Sequence, residues 1–336
     1  MNLDICYLIL LPYEKTADLG PIIPIAPPKD APYFYDLDIE FRASWEENGL
    51  AVAGVLASVQ LQVLDELVWV AECRYRLTDG LGEDGVQRNR AIQAGLKETV
   101  VAKTAVSLPT STPLLEEYTL ILHTTDKPTT FLNHHATAFG HLLRSLTKPI
   151  EADEAAAILA ERIRFSERDL TAVDWAGSVI LAERSDFQAD INLLKIGKYQ
   201  LLRYRMLDQT IQQMLQQVRD HLATVRISWL PPRNKTIQTI VEQRLALLID
   251  FEKIDQSLLL IGDWYSAQLY QQIVDRFGLD EWKALISNKL DNLAAIDSVV
   301  RENLTFSWSR AIDSFSVVGW LILLIGYLIL FFADLF

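Results

Sequence analysis

Hydrophobic and polar positions change their period along this chain, and the changes mark out its parts. The opening run LDICYLIL is apolar almost continuously from Leu3 to Leu10 and predicts a strand. The proline-rich PIIPIAPPKDAP follows; proline cannot donate to a ladder, so the stretch predicts an extended connection. DLDIEFRASW then sets Leu37, Ile39, Phe41 and Ala43 against polar neighbours, the period of two that marks a half-buried strand. VAGVLASVQLQV and ELVWVAECRYRL predict two more strands, TDGLGEDG predicts turns, and Val86 to Val106 predicts a helix. Beyond Pro109 and Pro113, EEYTLILHT predicts a strand and Thr130 to Leu146 a helix. EADEAAAILAERI predicts a second helix, with acidic residues in the first turn where the helix dipole favours them. RDLTAVDWAGSVILAE closes this part as a strand or hairpin. Strands and helices mix without strict alternation, so the expected class of this part is α+β.

From about Asp186 the period lengthens. Leu201, Tyr204, Ile211, Leu215, Val218, Leu222 and Val225 advance by threes and fours, with Gly197 and Asp208 at intervening seam positions, a heptad-like stripe. Two adjacent prolines in SWLPPRNK end that helix. A second helix carries Ile237, Val241, Leu248, Phe251 and Leu258; a third starts near Leu279 with Trp282, Ile286, Leu290, Leu293, Val300 and Leu304. From Leu279 to Ala333 there is no proline, and glycine occurs only in the apolar tail. One helix of ~80 Å is therefore allowed. The expected organisation is an α+β head over residues 1–185, with a sub-boundary near 107–114, and a coiled-coil-like helical hairpin or stalk over 186–312.

Residues 313–336 form the last part. Phe315 to Ala333 carry no charge, and a helix of that length spans roughly 28 Å against a bilayer hydrocarbon core of ~30 Å. The expectation is one carboxyl-terminal transmembrane helix, a tail anchor built from Phe315, Gly319, Trp320, Gly326, Tyr327 and Phe332. Gly319, Gly326 and Ala333 recur every seventh residue and offer a helix-packing face, pointing to a homo-oligomer. Arg301 and Arg310 precede the tail, which favours a cytoplasmic amino-terminal domain. Asp4 and Pro12 make the opening run a strand rather than an export signal.

Charge and cysteine content narrow the function classes. The net charge of −13 argues against a nucleic-acid partner, because phosphate affinity needs clustered lysine and arginine. Eight acidic residues and one arginine lie between Asp36 and Glu72, a solvated face or a docking site for a basic partner. Cys6 and Cys73 give neither a disulfide framework nor zinc spacing; both sit in apolar runs as buried, inert thiols, in keeping with a reducing cytoplasm.

Candidate chemistry is sparse. In LNHHATAFGHLL, His134 and His141 are seven apart and share one helix face, the basis for a metal-dependent hydrolase reading. Glu116, Glu117, His123 and Asp126 are near in sequence, but no HExxH spacing links them, and GxSxG, GxxxxGK[ST] and GxGxxG are absent. DGLGEDG reads as a turn, since Glu83 and Asp84 would repel phosphate. Asp174 and Trp175 read as strand residues, the aspartate outward and the tryptophan inward, with pocket lining as the alternative.

The runs KIGKYQLLRYRMLDQTI and GDWYSAQLYQQIVDRFGLDEWKALISNKLDNLAAIDSVV lead towards the apolar tail. In that layout, over Asp186 to Phe332, the chain resembles the "required for meiotic nuclear division" family, whose members carry helical hairpins before a final anchor. The family often has acidic residues bordering and within its anchor; here Asp313 precedes the tail and Gly326 stands inside it. The resemblance implies a tether or scaffold, and it carries over no catalytic residue. The sequence-based expectation is thus a non-enzymatic, membrane-tethered scaffold or adaptor without a cofactor. Its expected partners are the lipid bilayer, further copies of itself and an unidentified protein. The metal-dependent hydrolase at His134 and His141 and an oligomeric membrane effector or channel stand as alternatives.

Overall fold

The computed structural model describes residues 1–13, 19–23, 39–82, 84–104, 106, 114–146, 148, 150–225, 245–253, 264–293 and 316–326. The strands are β1 (Leu3–Pro12), β2 (Phe41–Val52), β3 (Val55–Leu64), β4 (Val68–Leu77), β5 (Glu116–Thr124), β6 (Arg162–Ile163), β7 (Asp169–Val173) and β8 (Gly177–Ala182). The helices are α1 (Gly85–Thr104), α2 (Pro128–His134), α3 (Ala136–Leu143), α4 (Ala152–Ile158), α5 (Gln188–Val225) and α7 (Trp264–Phe277). Three further helical stretches, α6 at 245–253, α8 at 279–293 and α9 at 316–326, complete the described elements.

All eight strands join one mixed sheet in the order β2-β3-β4-β1-β5-β8-β7-β6. Neighbours run antiparallel except β5 and β8, which are parallel. β1 lies at the centre between β4 and β5, and every residue from Ile5 to Leu11 is buried. That is why LDICYLIL lacks alternation: a strand covered on both sides has no solvent face to make polar. α1 to α4 cover one face, burying Ile5, Tyr7, Ile9 and Leu11 together with Ile92, Leu96, Phe139 and Leu142. Along α1, Ile92, Leu96 and Val100 recur four apart, so one narrow stripe meets the sheet. The other face meets the first half of α5, and α7 packs against β6 and β7.

The chain divides into two compact units. One comprises Met1–Met206 with Glu252–Lys283, and the other Leu207–Phe251 with Ala284–Phe336. In the first, Gly197 lies where α5 packs closely on α7: a β-carbon there would come 2.2 Å from Ile273 Cγ2. The seam position that breaks the apolar stripe is therefore small for a steric reason. In the second, Leu207, Ile211 and Met214 of α5 and Ile286, Leu290 and Leu293 of α8 are buried, and Lys289 pairs with Asp208. The helix expected near Leu279 is found over 279–293. Ile237, Val241, Leu258, Val300 and Leu304 lie outside the described residues.

The expected fold of a head, a stalk and one transmembrane helix is corrected at the carboxyl end. Among the described residues no helix is long and apolar enough to cross a membrane. The described part of the apolar tail is α9, residues 316–326, which spans only about 16 Å against a hydrocarbon core of ~30 Å. A span needs about 20 apolar residues in one helix, and the described helix of the tail has 11. The single-pass, tail-anchored membrane assignment falls with the span, as does the cytoplasmic orientation inferred from it. Within α9, Gly319, Trp320 and Gly326 are exposed, and nothing approaches within 4 Å of a β-carbon built on either glycine. Phe315, Tyr327, Phe332 and Ala333 lie outside the described residues.

Two local expectations also change. The helix predicted from Thr130 to Leu146 is interrupted at His135, where α2 ends and α3 begins. The helix predicted over EADEAAAILAERI is confined to Ala152–Ile158, because Arg162–Ile163 pair with β7 instead.

Candidate anion site at the amino ends of the parallel strands

The parallel pair starts where Thr119 of β5 faces Gly177 of β8. A β-carbon on Gly177 would lie 2.5 Å from the Thr119 carbonyl oxygen, so only glycine lets the two backbones approach this closely. The turn preceding Gly177 is held from beneath. Arg144 Nε donates to Asp174 Oδ2 at 3.1 Å and its Nη2 to Oδ1 at 2.9 Å, a two-pronged pair that suits the planar guanidinium. The Tyr118 hydroxyl donates to the Asp174 carbonyl at 2.8 Å and shares a 2.6 Å hydrogen bond with Ser178 Oγ. Burial raises the Tyr118 hydroxyl well above its usual range, so it stays a donor.

These bonds place the two turn residues opposite to the sequence expectation. Asp174 is 1% exposed and Trp175 is 61% exposed, because both lie in a turn rather than in the alternating ladder of a strand. Trp175 consequently lines a cavity of about 470 Å³ at these strand ends. Phe277, which ends α7, and Trp282 supply two further aromatic side chains to its lining.

Four cationic side chains line the same cavity: Arg144 after α3, Lys198 and Arg205 on α5, and Arg276 on α7. Two carboxylates, Glu116 and Glu117, line it as well. Glu117 is engaged by Lys97 at 2.7 Å and by the Tyr7 hydroxyl, which burial and then the Glu117 charge hold protonated. Glu116 accepts from Arg205, which also donates to the Leu115 carbonyl at 3.0 Å. Arg276 sits 3.3 Å from Glu161, and its Nε is buried without a hydrogen-bond partner among the described residues. A buried donor left unsatisfied costs about 1–3 kcal/mol.

Lys198 is nearly sealed from bulk solvent, at 5% side-chain exposure. Among the described residues its Nζ makes two long contacts, 3.4 Å to Glu116 Oε2 and 3.4 Å to the Trp175 carbonyl. It lies 4.3 Å from the Phe277 ring centroid and 4.9 Å from that of Tyr118. Burial lowers its pKa below the ordinary lysine value; Glu116 opposes that effect and Arg205 adds to it.

A second cavity, of about 430 Å³, lies over β2, β3 and β4 and is lined by Gln60, Gln62, Glu72, Arg74, Asn192 and Lys195 among others. Its two cations are balanced by two carboxylates, Glu72 and Glu46: Lys195 Nζ lies 2.7 Å from Glu72 Oε2 and Arg74 Nη2 lies 2.6 Å from Glu72 Oε1. Glu72, expected on a solvated acidic face, is a core residue.

The histidines singled out in the sequence do not converge. His134 ends α2 and packs edge-on against His135, while His141 Nδ1 lies 3.0 Å from the Leu146 carbonyl. The break at His135 interrupts the single helix that would have aligned them. Among the described residues no group of three or more histidine, cysteine, aspartate or glutamate side chains is arranged to hold a metal ion. Sequence reasoning missed Arg144, Lys198, Arg205 and Arg276, which belong to no motif and are scattered over more than a hundred positions. One signal was present: Lys195 and Lys198 lie in a run, KIGKY, that is otherwise apolar or small.

Comparison with known proteins adds a likeness without an activity. Residues 47–188 match the family described as "Uncharacterized protein MJ0711, N-terminal domain". That segment runs from within β2 to the first residue of α5, and so includes Glu116, Arg144 and Asp174 but not Lys198, Arg205 or Arg276. No solved structure matches the chain. Over 196 residues, 57% of this chain, it is 25% identical to the uncharacterized protein MJ0711 of Methanocaldococcus jannaschii, and it spans 59% of that relative's length.

Proposed function

We propose that the protein works by binding, as a non-enzymatic adaptor whose first unit takes up a small anionic ligand at the amino ends of β5 and β8. One observation carries this reading: in a chain of net charge −13, four cationic side chains line a single cavity against two carboxylates. A pocket of excess positive charge in an acidic protein draws an anion inward while the surrounding surface repels it. Arg276, Arg144 and Arg205 line the cavity with guanidinium groups, the chemistry suited to carboxylate or phosphate oxygens. Phe277, Trp282 and Trp175 favour a ligand that carries its charge on a flat or aliphatic body.

The test is calorimetric titration of the full chain with inorganic phosphate and with benzoate, a carboxylate on a flat apolar ring. Both anions are expected to bind, benzoate with quenching of tryptophan emission. Arg276→Gln should weaken binding by roughly tenfold to a hundredfold, the value of one hydrogen bond to a charged group. Absence of binding by either anion, or unchanged affinity in Arg276→Gln, would overturn the reading.

A further inference from the structure

We infer that Lys198 captures its ligand covalently, by condensing with the carbonyl of a small 2-oxo acid held in the cavity. The inference rests on the anion-site reading and names the ligand class for it. Two lysines three residues apart on α5 frame the argument. Both are almost completely buried, yet their surroundings differ. Lys195 is pinned to Glu72 at 2.7 Å and has Gln62 at 3.4 Å, so its ammonium is committed to an ion pair. Lys198 lines the cavity, and its two polar contacts are both 3.4 Å long. Its nearest carboxylate is shared, because Arg205 also binds Glu116.

An imine-forming lysine needs four things: a neutral amine, access to ligand, a proton acceptor within reach, and a means of orienting the carbonyl. Desolvation supplies the first by disfavouring the ammonium, as does the nearby Arg205 charge, against the opposing pull of Glu116. The cavity supplies the second. Glu116 is placed to take a proton from the nitrogen. Arg144 and Arg276 line the same cavity and suit the carboxylate that sits beside the carbonyl in a 2-oxo acid.

The step balances without a co-reactant. The neutral Nζ adds its lone pair to the carbonyl carbon, and the carbonyl oxygen becomes a hydroxyl as the proton on nitrogen passes to it by way of Glu116. That hydroxyl then leaves together with the second proton of the nitrogen as water, and the nitrogen lone pair closes a C=N bond between Lys198 and the ligand. The reverse reaction with water releases both unchanged, so the capture is reversible binding and not turnover.

The experiment treats the full chain with pyruvate and cyanoborohydride, which fixes an imine as a secondary amine, and maps the modified lysines by peptide mass spectrometry. Modification is expected at Lys198 at least about tenfold faster than at the exposed Lys148 and Lys253, with Lys195 unmodified. Excess inorganic phosphate should slow the Lys198 reaction by competing for the arginines. Lys198→Arg should lose the adduct, with its fold checked by circular dichroism. The site mapping on the unaltered chain stands even where that variant does not fold. Phosphate binding with Lys198 labelled no faster than Lys148 would overturn this inference and leave the anion site intact. Absence of phosphate binding together with absence of labelling would overturn both.

Discussion

Lys195 of α5 and Glu72 of β4 form an ion pair of 2.7 Å inside the protein, with side-chain exposures of 2% and 4%. Arg74 meets the second Glu72 oxygen at 2.6 Å, so one buried carboxylate holds two cations. Burying such a group is costly, and the pair matters most when one partner is removed, since that strands the other charge. Lys195→Met is expected to destabilise the protein by about 3–5 kcal/mol, and Glu72→Leu by a similar amount. The double variant should lose much less than the sum. Urea unfolding of the four proteins measures the coupling, and additive losses would show that the two groups act independently.

Acid should unfold the protein in two windows. Burial lowers the pKa of His123 and His135; for His123 the charge of Asp4 opposes this and His135 adds to it, while for His135 the neighbouring His134 adds to it. The unfolded chain therefore takes up protons at these sites first, so stability falls once the pH drops through about 6.5. For Glu72, burial disfavours ionisation, but the charges and hydrogen bonds of Lys195 and Arg74 outweigh it and lower the pKa to about 2. Its contribution is complete above the unfolded value near 4.5 and is lost as the pH falls towards 2. Thermal midpoints measured from pH 8 to 2 should show both declines, and His123→Gln should flatten only the upper one.

The two thiols should be inert in the native protein. Burial pushes Cys73 up to about 12, with the Glu72 charge adding to it, and raises Cys6 well above the ordinary thiol value. Thiolate is the reactive species, and neither group is accessible. Titration with an aromatic disulfide reagent is expected to proceed slowly in buffer and to reveal two thiols promptly in denaturant. Fast reaction of either thiol in buffer would contradict the packing of β1 against β4.

Gly197 should tolerate almost nothing larger. A β-carbon at 2.2 Å from Ile273 Cγ2 must push α7 away or force Ile273 from its rotamer. Gly197→Ala is expected to cost about 1–3 kcal/mol despite alanine's better helix propensity. Pairing it with Ile273→Ala should recover part of the loss. Denaturant midpoints of the two singles and the double decide the point, and a stabilised Gly197→Ala would show that the helices are looser than drawn.

Local periodicity made much of the first unit legible. LDICYLIL reads as a strand because all but Asp4 of its eight residues are apolar, and the structure places it at the centre of the sheet. VLASVQLQVL and VWVAECRYRL, separated by Asp65-Glu66-Leu67, fold as the adjacent antiparallel pair β3 and β4. The apolar stripe beyond Leu201 marks α5 as a helix whatever it packs against. The expectation at the tail is the one overturned: among the described residues no helix is long and apolar enough to cross a membrane.

Only the tertiary structure decided which strands are neighbours and, with them, the site. Pairing β5 in parallel with β8 brings Glu116 and Trp175 to one cavity, and laying α5 on that face sets the Lys198 ammonium over the rings of Tyr118 and Phe277. A charged residue on a helix reads in sequence as solvated. Whether Lys195 and Lys198 meet water, a carboxylate or an aromatic ring depends on residues far off in the chain: Glu72 for Lys195, and Glu116, Tyr118 and Phe277 for Lys198. The sequence by itself determines local period and therefore element type; the placement of buried charge follows from long-range packing, to which local pattern is blind.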